Sequence, residues 1–184
     1  MESLAADVGV SGHTAKAWLR LLEASFIVQL IGPWSGSLGK RLVKAPKLYF
    51  CDTGLAAALI GITHESQLAT HPLRGALFEN LVVMEFVKHA LHAGQRSGLN
   101  FYRDSSGLDA DLVVEQGFAP GRLGLVEIKS SRTLHGEHLR PLLRVKELLA
   151  DRVDACLCVH DSDDHYLRQG IEVVGLHAPA MGAA

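Results

Sequence analysis

The chain has 184 residues, 48% of them hydrophobic and 21% charged, which is enough for one sizeable core or two small ones. It contains no long apolar run, its start lacks the features of a signal peptide, and its three cysteines are too few for a disulfide framework, so we expect a cytoplasmic protein with no membrane partner. The net charge of −2 excludes a basic field over the whole protein, but residues 1–60 carry six Lys and Arg against four Asp and Glu, so any nucleic-acid contact should lie there.

The N-terminal part has the pattern of two short helices followed by a hairpin. Helices are predicted at 2–8 and 13–24, around a Gly-containing turn, and this order resembles a helix-turn-helix. The second helix is predicted to face a core with Ala15, Trp18, Leu19 and Leu22, which recur at helical spacing. Strands at 26–31 and 47–50 would form a hairpin, or wing, after this helix.

Cations concentrate in the connection between these two predicted strands. The candidate DNA-binding residues are Lys40, Arg41, Lys44 and Lys47 of this connection and Arg20 of the preceding helix. Their charges could meet phosphates as a wing does. A solvated hairpin tip is the alternative, because the helix itself is only mildly basic.

The second part of the chain has a mixed pattern. A short helix is predicted from residue 52 to 60, and the loop at 61–72 marks the boundary between an N-terminal domain, 1–60, and a second domain, 61–184. The later elements are a long helix at 74–93, strands at 100–103, 109–115 and 122–129, a helix from about 135 to 149, and strands at 155–160 and 171–176. The predicted fold class is therefore α/β (α+β), with a mixed sheet flanked by helices.

Two of these strands bring acidic and basic side chains together. By the two-residue period of a strand, Glu127 and Lys129 share one face, and the preceding strand carries Asp109 and Asp111 on one face. If the strands pair as a hairpin, Asp111 and Glu127 approach each other near its open end. Glu79, on the long helix, is a third candidate acid, with an exposed helix carboxylate as the alternative.

This grouping predicts a particular chemistry. Neighbouring carboxylates repel each other unless a cation lies between them, and hard oxygen ligands suit Mg²⁺ or Mn²⁺, so Asp111 and Glu127 are the candidate metal ligands. The cation would polarise a phosphoryl oxygen and lower the pKa of a bound water, which Lys129 could orient. Such chemistry is phosphodiester hydrolysis. A solvent-facing strand with alternating Glu and Lys is the plainer alternative.

Four short motifs occur in the order of a known family. They are Gly75 to Asn80, Phe101 to Asp104, Asp109 to Val113, and Val126 to Ser131. In this order they resemble the C-terminal domain of unknown function that follows the ATPase core in many bacterial and archaeal AAA-type ATPases, a domain that is similar to PD-(D/E)XK nucleases. In this family a winged-helix segment lies between the ATPase core and the C-terminal domain. Three further stretches of this chain, at residues 9–11, 18–19 and 47–55, resemble that segment.

The resemblance implies a winged helix followed by a PD-(D/E)XK restriction-endonuclease-like domain. It implies Glu79 as the helix acid, Asp111 and Glu127 as ligands for Mg²⁺ or Mn²⁺, and Lys129 as the catalytic lysine. The family usually has Glu-Val-Asp where this chain has Asp109-Ala110-Asp111, which keeps the metal-ligand candidate. The ATPase core is not among these residues, so no ATP-driven function is assigned to them.

The sequence therefore predicts a metal-dependent deoxyribonuclease or DNA-processing domain, with DNA as its partner. A second copy of the chain or another protein is a possible further partner. The alternative is a catalytically inactive regulatory module of the same fold that binds DNA or protein. Residues 61–184 hold twelve Lys and Arg against sixteen Asp and Glu, with no evident basic channel, and this favours the alternative. A winged-helix transcription regulator would leave the order of the motifs unexplained.

Overall fold

The computed structural model describes residues 2–34, 36, 43–94, 98–115 and 121–178. Its helices are α1 (Glu2–Val8), α2 (Gly12–Ala24), α3 (Thr53–Leu59), α4 (Arg74–His92) and α5 (Gly136–Leu149), with short 3-10 turns at Glu65–Gln67 and Ala150–Arg152. Its strands are β1 (Val28–Ile31), β2 (Lys47–Phe50), β3 (Leu99–Arg103), β4 (Asp109–Val114), β5 (Leu123–Lys129), β6 (Val153–His160), β7 (His165–Arg168) and β8 (Ile171–Gly175). None of the described helices is long and apolar enough to cross a membrane.

A six-stranded sheet forms the centre of the structure. Its strand order is β3-β4-β5-β6-β8-β7. The β3, β4 and β5 strands pair antiparallel, β5, β6 and β8 pair parallel, and β7 returns antiparallel to β8. The predicted mixed α/β architecture is confirmed at this level.

Helices cover both faces of the sheet, which explains why β5 is buried along almost its whole length. One core cluster packs α4 against the sheet through Val82, Val83, Met84 and Val87 from the helix and Leu112, Val126 and Ile128 from the strands. The other packs α5 through Leu139, Leu142, Val145 and Leu149 against Leu123, Leu125 and Ile171. Alternate residues of β5 thus enter opposite cores, as the two-residue period of a strand requires.

The N-terminal hairpin contributes to these same cores. The β1 and β2 strands pair antiparallel, and Ile31 and Tyr49 belong to the cluster beneath α4. Trp34 is buried in the cluster beneath α5. The backbone amide of Trp34 donates to the carbonyl of Phe101 at 2.7 Å, and the amide of Phe101 donates to Gly32 at 3.1 Å. The hairpin is therefore attached to the edge strand β3 as well as to α4.

The exposed side of α2 differs from the prediction. Ser11 caps the helix by accepting a hydrogen bond from the Thr14 amide at 3.1 Å, and Ala15 and Leu19 are buried as expected. However, Trp18 is 51% exposed and Leu22 is 37% exposed, so the prediction that both face a core is wrong. The physical reason is that α1 has only seven residues and covers a narrow stripe of α2.

The strand β7 was not predicted. It lies between the predicted strands at 155–160 and 171–176, and it pairs with β8 in register from His165 with Val174 to Arg168 with Ile171. Its residues are mostly exposed because it lies at the edge of the sheet. An edge strand with polar side chains on both sides lacks the apolar alternation by which strands are recognised.

Candidate active site

The β3–β4 connection is a rigid turn that positions the first acid. The Asp104 carboxylate accepts hydrogen bonds from the amides of Ser106 at 2.8 Å and Leu108 at 3.1 Å. Gly107 has a φ of +86°, a left-handed conformation that favours glycine. The β4 strand follows this turn directly. The hydrogen bonds of the turn therefore fix the start of the strand that carries Asp109 and Asp111.

The two carboxylates on β4 have different partners. Asp109 accepts a hydrogen bond from the guanidinium of Arg103 on β3 at 2.8 Å, so the positive charge of Arg103 balances its negative charge. Asp111 accepts from the backbone amide of Ile128 at 2.9 Å, across the gap to β5. The β4–β5 ladder runs from Val114 to Leu112 and stops there, so Asp111 lies at the open end of the hairpin, as predicted from its position.

Glu127 and Lys129 belong to one strand and form an ion pair with each other. Lys129 Nζ contacts Glu127 Oε1, and the Glu127 side chain is only 4% exposed. The second carboxylate oxygen, Glu127 Oε2, is buried and has no hydrogen-bond partner among the described residues. A buried acceptor of this kind is costly unless a proton or a cation satisfies it.

Glu79 of α4 is joined to the cluster by two residues of β2. Its Oε1 atom accepts from Lys47 Nζ at 2.9 Å and from the Tyr49 hydroxyl at 2.7 Å. Lys47 Nζ also lies 3.4 Å from Asp111 Oδ1. The candidate acids from α4, β4 and β5 are thus brought into one neighbourhood, and the ammonium of Lys47 lies between two of them.

Burial and mutual repulsion shift the ionisation of these groups. Burial, and then the charge of Asp111, raise the pKa of Glu127 to about 7. Burial and the charge of Glu79 raise the pKa of Asp111, although Lys47 and the Ile128 amide oppose this. Burial lowers the pKa of Lys129, but the Glu127 carboxylate and its hydrogen bond outweigh burial, so the net shift is upward and Lys129 stays an ammonium.

The donor set fits a hard divalent cation in part. Two carboxylates from adjacent strands, one of them with a buried unpartnered oxygen, are what Mg²⁺ or Mn²⁺ uses when substrate and water supply its remaining ligands. Within the residues that the structure describes, no three His, Cys, Asp or Glu side chains converge closely enough to hold a metal ion. The third acid, Glu79, is engaged by Lys47 and Tyr49 instead.

An open cleft of about 380 Å³ adjoins the cluster. Lys47, Tyr49, Glu79 and Asn80 form its polar wall. Its other lining residues are mainly apolar and come from β2, α3 and α4: Leu48, Phe50, Ala56, Leu59, Ile60, Leu73, Ala76 and Leu77. Asp111, Glu127 and Lys129 do not line this cleft, so the open space lies beside Lys47 and Glu79 only.

The candidate DNA-binding residues have different positions. Arg20 and Lys44 are exposed, whereas the side chain of Lys47 is only 19% exposed and points at acids. Lys40 and Arg41 lie outside the described residues. A role in DNA binding stays a prediction for all five.

Sequence reasoning did not find Tyr49 or Asn80. Tyr49 follows Lys47 by two residues, so both side chains leave the same face of β2, and this spacing was the available signal. Asn80 is buried on α4, where its amide group accepts from the Phe50 amide at 2.7 Å and donates to the Phe50 carbonyl at 2.9 Å. A polar residue next to Glu79 in a buried helix face was its signal.

The chain resembles proteins that are themselves uncharacterized. An uncharacterized protein of Mycobacterium bovis and one of Mycobacterium tuberculosis are each 34% identical to it over 130 residues, which cover 71% of this chain and 28% of each relative. The matched residues thus span less than a third of the length of these relatives. No solved structure matches it.

Two protein families match successive parts of the chain. Residues 1–66 match the family described as Domain of unknown function (DUF8612). Residues 74–178, more than half of the chain, match the family described as Domain of unknown function (DUF4143). Lys47 and Tyr49 lie in the first match and all three candidate acids lie in the second, so the cluster is built from both. The chain belongs to the DUF4143 family.

Proposed function

We propose that this protein is a metal-dependent phosphodiesterase that acts on DNA, with a nuclease-like domain of the PD-(D/E)XK type. The observation that carries the proposal is the grouping at the open end of the β4–β5 hairpin. Asp111 and Glu127 lie on adjacent strands, Lys129 is paired with Glu127, and the free oxygen of Glu127 is buried without a partner among the described residues. Buried, perturbed carboxylates at a strand end are typical of catalytic sites.

Asp111 and Glu127 are the residues that would hold Mg²⁺ or Mn²⁺. A bound divalent cation supplies Lewis-acid polarisation of a phosphoryl oxygen and stabilises the negative charge that develops during hydrolysis. The Ile128 amide keeps one oxygen of Asp111 fixed, which leaves the other oxygen for a cation or for Lys47. Burial of Glu127 excludes water from its free oxygen, so a cation there would be held in a partly dry environment.

Lys129 remains protonated because of its carboxylate partner, so it acts as a hydrogen-bond donor and a positive charge rather than as a base. It can orient the attacking water and stabilise the equatorial oxygens of the phosphate. Glu79 is the helix acid, and Lys47 and Tyr49 fix one of its oxygens. In the proposed reaction it helps to position water near Asp111.

The N-terminal part is proposed to be a winged helix that positions the duplex. The order of two helices followed by an antiparallel pair of strands supports a winged helix. The exposed cations Arg20 and Lys44 would contact phosphates, together with Lys40 and Arg41. Resemblance to domains that follow an ATPase core further supports a place in a longer ATPase, in line with the much greater length of the mycobacterial relatives.

The proposal is tested by titrating Mn²⁺ calorimetrically into the wild type and the Asp111→Asn/Glu127→Gln double mutant, with labelled DNA incubated in parallel. We expect binding and metal-dependent cleavage in the wild type and the loss of both in the mutant. Asp154→Asn is the matched control, since Asp154 forms an exposed pair with Arg122 away from the cluster. Absence of Mn²⁺ binding in the wild type, at concentrations up to about 10 mM and with DNA present, would contradict the proposal.

A second candidate function is a catalytically inactive module of the same fold that binds DNA or a protein. The observation that favours it is the engagement of Glu79 and Asp111 by Lys47, since a lysine that neutralises the acids removes the need for a metal. The same titration separates the two functions. DNA binding without Mn²⁺ binding or cleavage would favour the inactive module.

A further inference from the structure

Lys47 is a member of the cluster whose position the chemistry of hydrolysis does not require. It is the first residue of β2, in the part of the chain that matches the first family. Its ammonium lies 2.9 Å from Glu79 Oε1 and 3.4 Å from Asp111 Oδ1, and 5.5 Å from the ring centroid of Phe101. A lysine in a solvated hairpin would instead extend into water.

The structure holds Lys47 at this place through the backbone of β2. Buried Asn80 bonds both the amide and the carbonyl of Phe50, which fixes β2 against α4. Tyr49 adds a hydrogen bond to the same Glu79 oxygen that Lys47 contacts. The strand is anchored three residues away, which keeps the backbone of Lys47 near the acids, and the contacts with Glu79 and Asp111 hold its ammonium.

This ammonium is placed to compete with a divalent cation. Asp111 has one oxygen on the Ile128 amide and the other beside Lys47, so a cation that approaches Asp111 meets a positive charge at the oxygen it needs. Like charges a few ångströms apart in a partly buried site repel strongly. Glu79, which could supply a third carboxylate, is held by the same lysine.

We propose that Lys47 is a built-in competitor of the divalent cation, through which the N-terminal part of the chain sets the metal affinity of the acidic cluster. The inference rests on the proposed function, because it concerns the same carboxylates. While the ammonium stays between Glu79 and Asp111, the cluster is neutralised without metal. Its displacement would free Asp111 Oδ1, whereas Tyr49 would still donate to Glu79 Oε1, so that Asp111 and Glu127 become available together.

The test is calorimetric titration of Mn²⁺ into the wild type, Lys47→Met and Lys47→Gln. Met keeps the length of the side chain without its charge, and Gln keeps a hydrogen-bond donor without the charge. We expect both variants to bind Mn²⁺ at least about tenfold more tightly than the wild type, since one repelling unit charge is removed next to the ligands. Lys88→Met is the matched control, because Lys88 is exposed on α4 and pairs with Glu85.

The outcomes separate this inference from the proposed function. Equal or weaker Mn²⁺ affinity in both variants, with a folded protein by circular dichroism, overturns the inference and leaves the metal site intact. Tighter binding in Lys47→Met and Lys47→Gln but not in Lys88→Met supports it. If neither the wild type nor the variants bind Mn²⁺, the proposed function fails and the inference fails with it.

Discussion

The acidic cluster has two halves that are built in different ways. In one half, Glu127 and Lys129 come from the same strand, two residues apart, and the carboxylate is almost completely buried. In the other half, Lys47 and Glu79 are separated by 32 residues and meet only because β2 packs against α4, and the Glu79 side chain is 29% exposed. Asp111 contacts both halves, through the Ile128 amide and through Lys47.

The difference between the two halves indicates which of them can be regulated. The pair on β5 is fixed by the pleat of a strand in the middle of the sheet, so it persists whenever the sheet is folded. The pair between Lys47 and Glu79 depends on tertiary contact between two parts of the chain. Glu127 and Lys129 therefore lie in the half that persists, whereas the helix acid Glu79 lies in the half whose contacts can change.

The largest effect on DNA cleavage is expected from Lys129→Ala, which changes only the β5 half of the cluster. If Lys129 orients the attacking water and stabilises the phosphate, this change should lower the rate of DNA cleavage by about 100-fold or more. Mn²⁺ affinity should not decrease, because both carboxylates are still present and a positive charge beside Glu127 is removed. Cleavage assays and calorimetry on the same preparation measure the two effects, with Lys88→Ala as control. Undiminished cleavage by Lys129→Ala would remove this residue from the mechanism.

Asn80→Ala should weaken the attachment of β2 to α4 and leave the β5 half unchanged. The substitution removes hydrogen bonds to both backbone groups of Phe50 and to Thr53, at a position that is 7% exposed. Because buried backbone groups lose their partners, we expect the free energy of unfolding to fall by roughly 2 to 4 kcal/mol.

Urea unfolding measures this loss, and Asn100→Ala on half-buried β3 is the matched control, for which we expect a decrease below about 1 kcal/mol. With Lys47 less firmly presented to the acids, Asn80→Ala should also bind Mn²⁺ somewhat more tightly. Equal destabilisation by the two Asn variants would show that Asn80 does not anchor β2.

A smaller effect is expected from pH. The pKa of Glu127 is raised from 4.5 to about 7, so the folded protein holds this proton until the pH passes about 7. A cation needs the carboxylate, and Mn²⁺ affinity should fall below about pH 7 by up to about tenfold per pH unit and level off above it. Without metal, the folded state binds the proton more tightly than the unfolded chain, so the free energy of unfolding should decrease as the pH rises from about 4.5 to about 7.

Calorimetry at about pH 6 and about pH 8, in buffers of different ionisation enthalpy, measures both the affinity and the number of protons released on binding. Glu127→Gln should abolish the pH dependence along with most of the affinity. An affinity that is the same at both pH values would mean that Glu127 is ionised in the folded protein or is not a ligand.

The two halves also differ in how far the sequence predicts them. The spacing of Glu127 and Lys129 and the position of Asp111 on the preceding strand are local, and the pairing of β4 with β5 follows from the short connection between them. The contact of Lys47 with Glu79 depends on how β2 docks on α4, which no local pattern encodes. Lys47 was accordingly interpreted only as a phosphate-binding cation of the hairpin.

The errors of the fold prediction have a similar cause. Periodicity predicted that Trp18 would be buried, since a helix pattern shows which residues share a face but not how wide the covering element is. The strand at 165–168 was missed because its four residues have no apolar alternation, and its pairing with β8 is what makes it a strand. Elements with strong apolar patterns, such as α4 and β5, were predicted within one or two residues of their observed ends.

The attachment of the N-terminal hairpin has a practical consequence for dissecting the chain. Ile31, Trp34 and Tyr49 fill parts of the two cores beneath α4 and α5, although all three precede the second family match. A fragment that starts at residue 74 would expose the apolar surfaces that these side chains cover and would lack the backbone partners of Asn80. Such a fragment should aggregate or unfold at low denaturant, and its inactivity would reflect an incomplete core, not the chemistry of its carboxylates.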